Sequence, residues 1–236
     1  MSPIILLILG LASSSTQECD DPTRHITEDI VMSRSKKKGC EYNNAGPADY
    51  YVLSLQWKPS SDCAKTDSCA PGYLTQDFSI HGLWPNRLDG NHPFCCHPTD
   101  HFVPSQDLEK ELVKYWQSFK DDQLSFWDHE WAKHGTCSLF KTPEDYFRGG
   151  LMLFKQVDPE GIFNKFDIQP GESHNVKEYI DALGDDAYPV CRRDKQTGET
   201  ILSEVRYCFD FAGKLIICQK REEYSCRNGK EIKFRA

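Results

Sequence analysis

Eleven cysteines in 236 residues follow an apolar leader, and together they limit what this chain can fold into. The leader, Pro3-Ile-Ile-Leu-Leu-Ile-Leu-Gly-Leu-Ala12, is too short to span a bilayer. Small residues at Ala12-Ser13-Ser14 then offer a cleavage site, so residues 1–14 read as a secretory signal peptide cut near Ser14. No Lys or Arg precedes the apolar run, which leaves the α-amino group to supply the positive end. Many cysteines behind such a leader imply an oxidising compartment and disulfide bridges. The chain is expected to be secreted, or to work in an endolysosomal or vacuolar lumen. No later stretch is apolar and long enough for a membrane span.

The mature chain, about 220 residues, suffices for one large core. It shows no repeats, no low-complexity tract and no Pro/Gly linker. Residues 15–48 are polar and read as a loosely structured arm, with a single domain over 49–236. Tyr51, Leu53, Leu55 and Trp57 alternate with Val52, Ser54 and Gln56, a strand pattern that turns Gln56 away from the leucines. Ser105 is placed to cap a helix whose apolar stripe is Leu108, Leu112, Tyr115, Trp116 and Phe119. Thr142-Pro143 opens a second helix. Ser173–Leu183 reads as a third, stopped by Gly184. Ile201–Phe209 and Lys214–Lys220 flank a Phe-Ala-Gly turn and read as a hairpin. Strands in runs and helices in runs predict an α+β fold, an antiparallel sheet with several helices packed against it.

The formal net charge is −8. An acidic chain is a poor candidate for tight binding by phosphate neutralisation, but it suits an enzyme that holds a few nucleotides and lets them go. Arg34-Ser-Lys-Lys-Lys38 is the one basic run and reads as a solvated loop.

Chemistry concentrates in Phe126-Trp-Asp-His-Glu-Trp-Ala-Lys-His-Gly-Thr-Cys137. Residues 124–136 read as a helix, on which Glu130 and His134 lie one turn apart, about 40° offset, with Lys133 beside them. Such a face supplies a base, a cation and a carboxylate around one small anionic group. A further His lies upstream on a strand-like segment, Phe78-Ser-Ile-His-Gly-Leu-Trp-Pro85. Two His on different elements suit acid–base chemistry on either side of a reacting atom. A zinc hydrolase is the sharper rival, but its helical His pair is spaced i, i+4. Here His129 and His134 are five apart, about 140° offset on a regular helix. Cys95-Cys96-His97 with His101 looks faintly metal-like, yet thiols in a chain this rich in cysteine are better assigned to bridges. No metal and no cofactor are expected.

The two segments, IHGLWP and FWDHEWAKHGTC, resemble the active-site segments of the ribonuclease T2 family, secreted or lysosomal base-nonspecific endoribonucleases. The likeness extends through the cysteine frame and the strand carrying Gln56, over roughly residues 50–226. It implies catalytic roles for His81, Glu130, Lys133 and His134, with His134 as base and His81 as acid. It implies phosphate binding by His129 and base contacts by Trp84, Phe126 and Gln56. It further implies bridges Cys63–Cys69, Cys96–Cys137, Cys191–Cys226 and Cys208–Cys218, and leaves Cys19, Cys40 and Cys95 open. Asn86 stands where some members carry Asp, and His92 where others carry Tyr. The implied substrate is single-stranded RNA, cut by transphosphorylation to 2′,3′-cyclic phosphate ends, with DNA inert. The implied activity spans the hydrolase and lyase descriptions of such enzymes. A monomer is expected, and a toxin, defence or immune-modulating role is compatible with secretion. The alternative from another class is a catalytically inactive secreted binding protein on the same fold. The intact His81, Glu130, Lys133 and His134 argue against it.

Overall fold

The computed structural model describes residues 47–236, apart from 67, 71, 98, 100, 120–121, 220–225 and 227–230. The leader, the polar arm, the basic run, Cys19 and Cys40 lie outside the described residues. Among the described residues, six strands form one sheet: β1 (Tyr50–Trp57), β2 (Phe78–Asn86), β3 (Ser173–Asn175), β4 (Ala187–Arg193), β5 (Thr200–Phe209) and β6 (Glu231–Lys233). Their order is β2-β1-β5-β6-β3, and β4 lies along the other edge of β5. All pairings are antiparallel except one parallel contact, Ile201 with Lys233.

Among the described residues, besides a four-residue helix at Cys63–Thr66, five longer helices accompany the sheet: α1 (Gln106–Tyr115), α2 (Gln123–Lys133), α3 (Pro143–Phe154), α4 (Pro159–Lys165) and α5 (Val176–Leu183). The fold is a single α+β unit. Alternation along β1 decides its layering. Tyr51, Leu53, Leu55 and Trp57 enter the main core, where they meet Leu112, Trp127, Phe147, Phe163 and Tyr179 from the five helices. Tyr50 and Val52 point to the reverse face and join Cys208 and Cys218, with Trp84 and Tyr188 packed alongside. One face is therefore roofed by helices, and the other is left for a site.

Local chemistry sets the helix ends. The Asp122 carboxylate accepts from Ser125 N and starts α2, and Thr142 Oγ1 accepts from Asp145 N ahead of Pro143 to start α3. Asn175 and Glu178 form a capping box at α5, and Gly184 ends it at φ 70°. Several sequence expectations need correction. α2 stops at Lys133 and tightens into a 3₁₀ turn, Gly135–Cys137, instead of continuing to residue 136. Ser105 precedes α1 but makes no side-chain cap: its hydroxyl donates to Glu144 Oε1 at 2.6 Å and accepts from Arg148 Nη2 at 3.3 Å. α1 ends before Trp116 and Phe119. Ser173–Asn175 is a strand paired to β6, so α5 begins only at Val176. The expected C-terminal hairpin reduces to one bridge, Phe209 with Leu215. β1 and β4 occupy the two edges of β5 up to Tyr207, which leaves the return segment only the end of the strand, where Ile216 N donates to the Cys208 carbonyl at 3.0 Å.

Candidate active site

Ser54 pairs with Gly82 and Leu55 with Ile80, so His81 is an extra residue in β2 with no partner in β1. Such a bulge re-aims the side chain it carries. The His81 ring meets β5, where Nδ1 lies 2.7 Å from Glu204 Oε1. The other Glu204 oxygen accepts from Ser54 Oγ at 2.9 Å and from Arg206 Nε and Nη2 at 2.9 and 2.7 Å. Three adjacent strands thus build one buried polar knot. The Arg206 guanidinium also sits over the Trp84 ring at 4.8 Å. Burial works against a charged His81, but the hydrogen bond and charge of Glu204, helped by Glu130, overcome it and raise its pKa. Burial likewise opposes a charged Glu204, yet His81 and Arg206 hold its pKa down to about 2.

The opposite wall comes from α2, which lies against the edge strand β2. Glu130 is buried, and its Oε2 accepts from Trp84 Nε1 at 3.2 Å. Burial pushes its carboxyl up to about 7, against the pull of His81, Trp84 and Lys133. His134 sits at the helix end, donating its backbone N–H to the Glu130 carbonyl at 3.0 Å. Its ring lies 5.4 Å from that of Trp84. Burial, then the positive fields of Lys133, His129 and His81, push it down to about 2. One His is thus favoured charged and the other neutral. Gly82 makes the close approach of the walls possible: a Cβ there would fall 2.1 Å from Trp84 Nε1 and 2.3 Å from Glu130 Oε2.

A covalent tie fixes the two walls. Cys96, in the loop after β2, is bridged to Cys137 at the end of the α2 turn. Alongside it, Cys95 N donates to the Lys133 carbonyl at 2.7 Å and Cys96 N to Thr136 Oγ1 at 3.2 Å. Cys95 takes a positive φ of 53° to do so, and it too is disulfide-bonded. The remaining bridges among the described residues are Cys63–Cys69, Cys191–Cys226 and Cys208–Cys218.

Between the walls lies a cavity of about 540 Å³. His81, Trp84, His129, Glu130, Lys133 and His134 all line it, as do Asn86 and His92. Phe126 and Gln56 do not. The Phe126 ring is 6.5 Å from that of His81, and the Gln56 amide is turned to the Gln117 carbonyl at 3.3 Å. Sequence reasoning missed Glu204, Arg206 and Tyr188, the last two of which face the cavity. The available signal was the alternation of Glu204 and Arg206 with the buried Val205 and Tyr207, which marks a charged pair on one strand face. No described helix is long and apolar enough to cross a membrane.

The profile of the Ribonuclease T2 family matches residues 48–226. The chain belongs to the ribonuclease T2 family. It is similar to extracellular ribonuclease LE of Solanum lycopersicum, 36% identical over 190 residues, which cover 74% of this chain and 82% of that protein. Ribonuclease DdI of Dictyostelium discoideum is 34% identical over 199 residues, covering 82% and 87%. Among solved structures, RNase NT in complex with 5′-AMP superposes with a TM-score of 0.67 at 28% identity, covering 80% of this chain and 99% of that one. This T2 ribonuclease is accordingly an enzyme, an endoribonuclease.

Proposed function

We propose that this T2 ribonuclease cuts single-stranded RNA through its own 2′-hydroxyl, without a metal or cofactor. Neutral His134 takes the 2′-hydroxyl proton as that oxygen bonds to phosphorus. Charged His81 gives its proton to the departing 5′-oxygen as the P–O5′ bond breaks. The product is a 2′,3′-cyclic phosphate, which water opens with the two roles reversed. Lys133, Glu130 and His129 surround the phosphoryl oxygens, where developing charge is best stabilised by groups already in place. Trp84 offers a stacking surface in the cavity, and Phe126 and Gln56, outside it, are assigned to a neighbouring nucleotide. The observation that carries this reading is the pairing of one His favoured charged with one His favoured neutral, from different elements, on one cavity.

DNA lacks the nucleophile and is expected to resist cleavage. The leader and the bridges support secretion or an endolysosomal lumen. With it go a signal peptide over 1–14, a polar arm over 15–48, a catalytic domain over 49–236, and action as a monomer, compatible with a toxin or defence role. The test is RNA cleavage in excess EDTA with analysis of the new ends. Undiminished cleavage to cyclic phosphates is expected, and no cleavage of the 2′-deoxy strand. Activity lost on chelation and restored by zinc would overturn the mechanism.

A further inference from the structure

His81 must do two things at once if it is to act as the acid. It must carry a proton on the nitrogen that faces substrate, and its ring must not turn. Neither follows from the ring itself, since either imidazole nitrogen is able to hold the proton. The environment of Nδ1 therefore decides. That nitrogen meets Glu204 Oε1, leaving Nε2 for the cavity that His81 lines. Glu204 cannot swing away. Its second oxygen is held by Ser54 from β1 and by two nitrogens of Arg206 from β5 itself. Its side chain is only 11% exposed.

We propose that Glu204 is a positioning residue of the reaction: it accepts a hydrogen bond from Nδ1–H of His81, fixes the ring, and keeps the Nε2–H donor aimed at the leaving oxygen. Arg206 serves the same end. It balances the Glu204 charge, and by lying over Trp84 it joins the knot to the cavity wall. Ser54 and Arg206 satisfy only Oε2 of the carboxylate, and Oε1 is turned to His81. The additional bond to a bulged, cavity-lining His is what points to catalysis. This inference rests on the assignment of His81 as acid above.

The groups that set the charge of His81 come from both walls. Glu204 and Arg206 face it from β5, Glu130 from α2 and His134 from the C-terminal cap of that helix, with Lys133 and His129 lining the same cavity. Glu204→Gln keeps the shape and removes the charge. The imidazole protons of His81 are followed by NMR against pH without RNA, in the wild type and in Glu204→Gln. The His81 titration is expected to move to lower pH in the variant. In steady-state cleavage of a dinucleotide, kcat is expected to fall by roughly 10–10²-fold, within what general acid catalysis supplies, with KM nearly unchanged. The alkaline limb of kcat/KM should move to lower pH, and Glu204→Asp should restore part of both. If Glu204→Gln does not fold, Ser54→Ala, which removes one bond to the same carboxylate, should show smaller shifts in the same direction. An unmoved His81 titration, or an unmoved alkaline limb, in an enzyme that still makes cyclic phosphate overturns the role of Glu204. A wild type that makes no cyclic phosphate fails the reaction reading instead, and the NMR titration then decides the Glu204–His81 coupling by itself.

Discussion

Glu130 and Glu204 are both buried, with opposite consequences. Glu130 has its folded pKa raised from 4.5 to about 7, so ionising it works against the folded state. Stability from this group is present at low pH and is lost as pH rises from about 4.5 through about 7. Glu130→Gln should therefore stabilise the protein at pH 8, by roughly 1–3 kcal/mol, and hardly change it near pH 4, as read by urea unfolding. Glu204 runs the other way. Its folded pKa is held near 2, so its contribution is present above about 4.5 and fades as pH falls toward 2. In the proposed mechanism His81 must stay protonated and His134 must stay neutral. Both favour a bell-shaped rate profile with its optimum below neutral, and a monotonic rise through pH 8 would contradict this. Replacing His81 or His134 by Phe should each cut turnover by at least roughly 10²-fold, and the double variant should be little worse, since the pair acts as a unit. Near-normal turnover in either single variant would mean a wrong assignment. His81, Glu130, Lys133 and His134 were legible in the sequence because two contiguous segments carry them. Glu204 and Arg206 were not, because their meeting with His81 depends on the β1–β5 register, which no local pattern encodes.

At the scale of elements, Gly82 lets β2 and α2 approach. Gly82→Ala would place a methyl group against Trp84 and Glu130. Overpacking of this kind costs about 1–3 kcal/mol, and here it also displaces cavity-lining groups. A drop in kcat/KM of tenfold or more is expected, larger than the loss of folded protein explains. A fully active Gly82→Ala enzyme would show that the spacing of the walls is not critical. β1 was readable from strict alternation, and α3 from its Thr-Pro start. β4 was not, since Ala187-Tyr-Pro-Val-Cys-Arg-Arg193 interrupts its apolar pattern with Pro and ends in charge. β3 and β6 have three residues each, too few for any period to show. The misread hairpin followed a sound local signal, a Gly turn between two apolar runs. The competing partner was distant in sequence: Cys218 N donates to Asp185 O and Cys208 N to Asp186 O, both just ahead of β4.

Over the whole molecule, the Cys96–Cys137 bridge joins segments 41 residues apart and couples the sheet wall to the helix wall. Closure of such a loop is worth roughly 3–4 kcal/mol. Replacing both cysteines by Ala should lower stability by that order, and should lower kcat even under conditions where the variant is fully folded by circular dichroism. Unchanged kcat in the folded variant would assign the bridge to stability alone. The bulge at His81 has a wider consequence. Deleting that residue would bring Ile80 and Gly82 together opposite Leu55 and Ser54, which are already neighbours, and the β1–β2 ladder would close without a gap. Every other side chain on β2 would keep its face of the sheet. The ladder needs no residue at that position, so a chain one residue shorter here is expected to keep its strand register while losing the proposed acid, the partner of Glu204 Oε1 and the carbonyl that accepts from Trp116 Nε1.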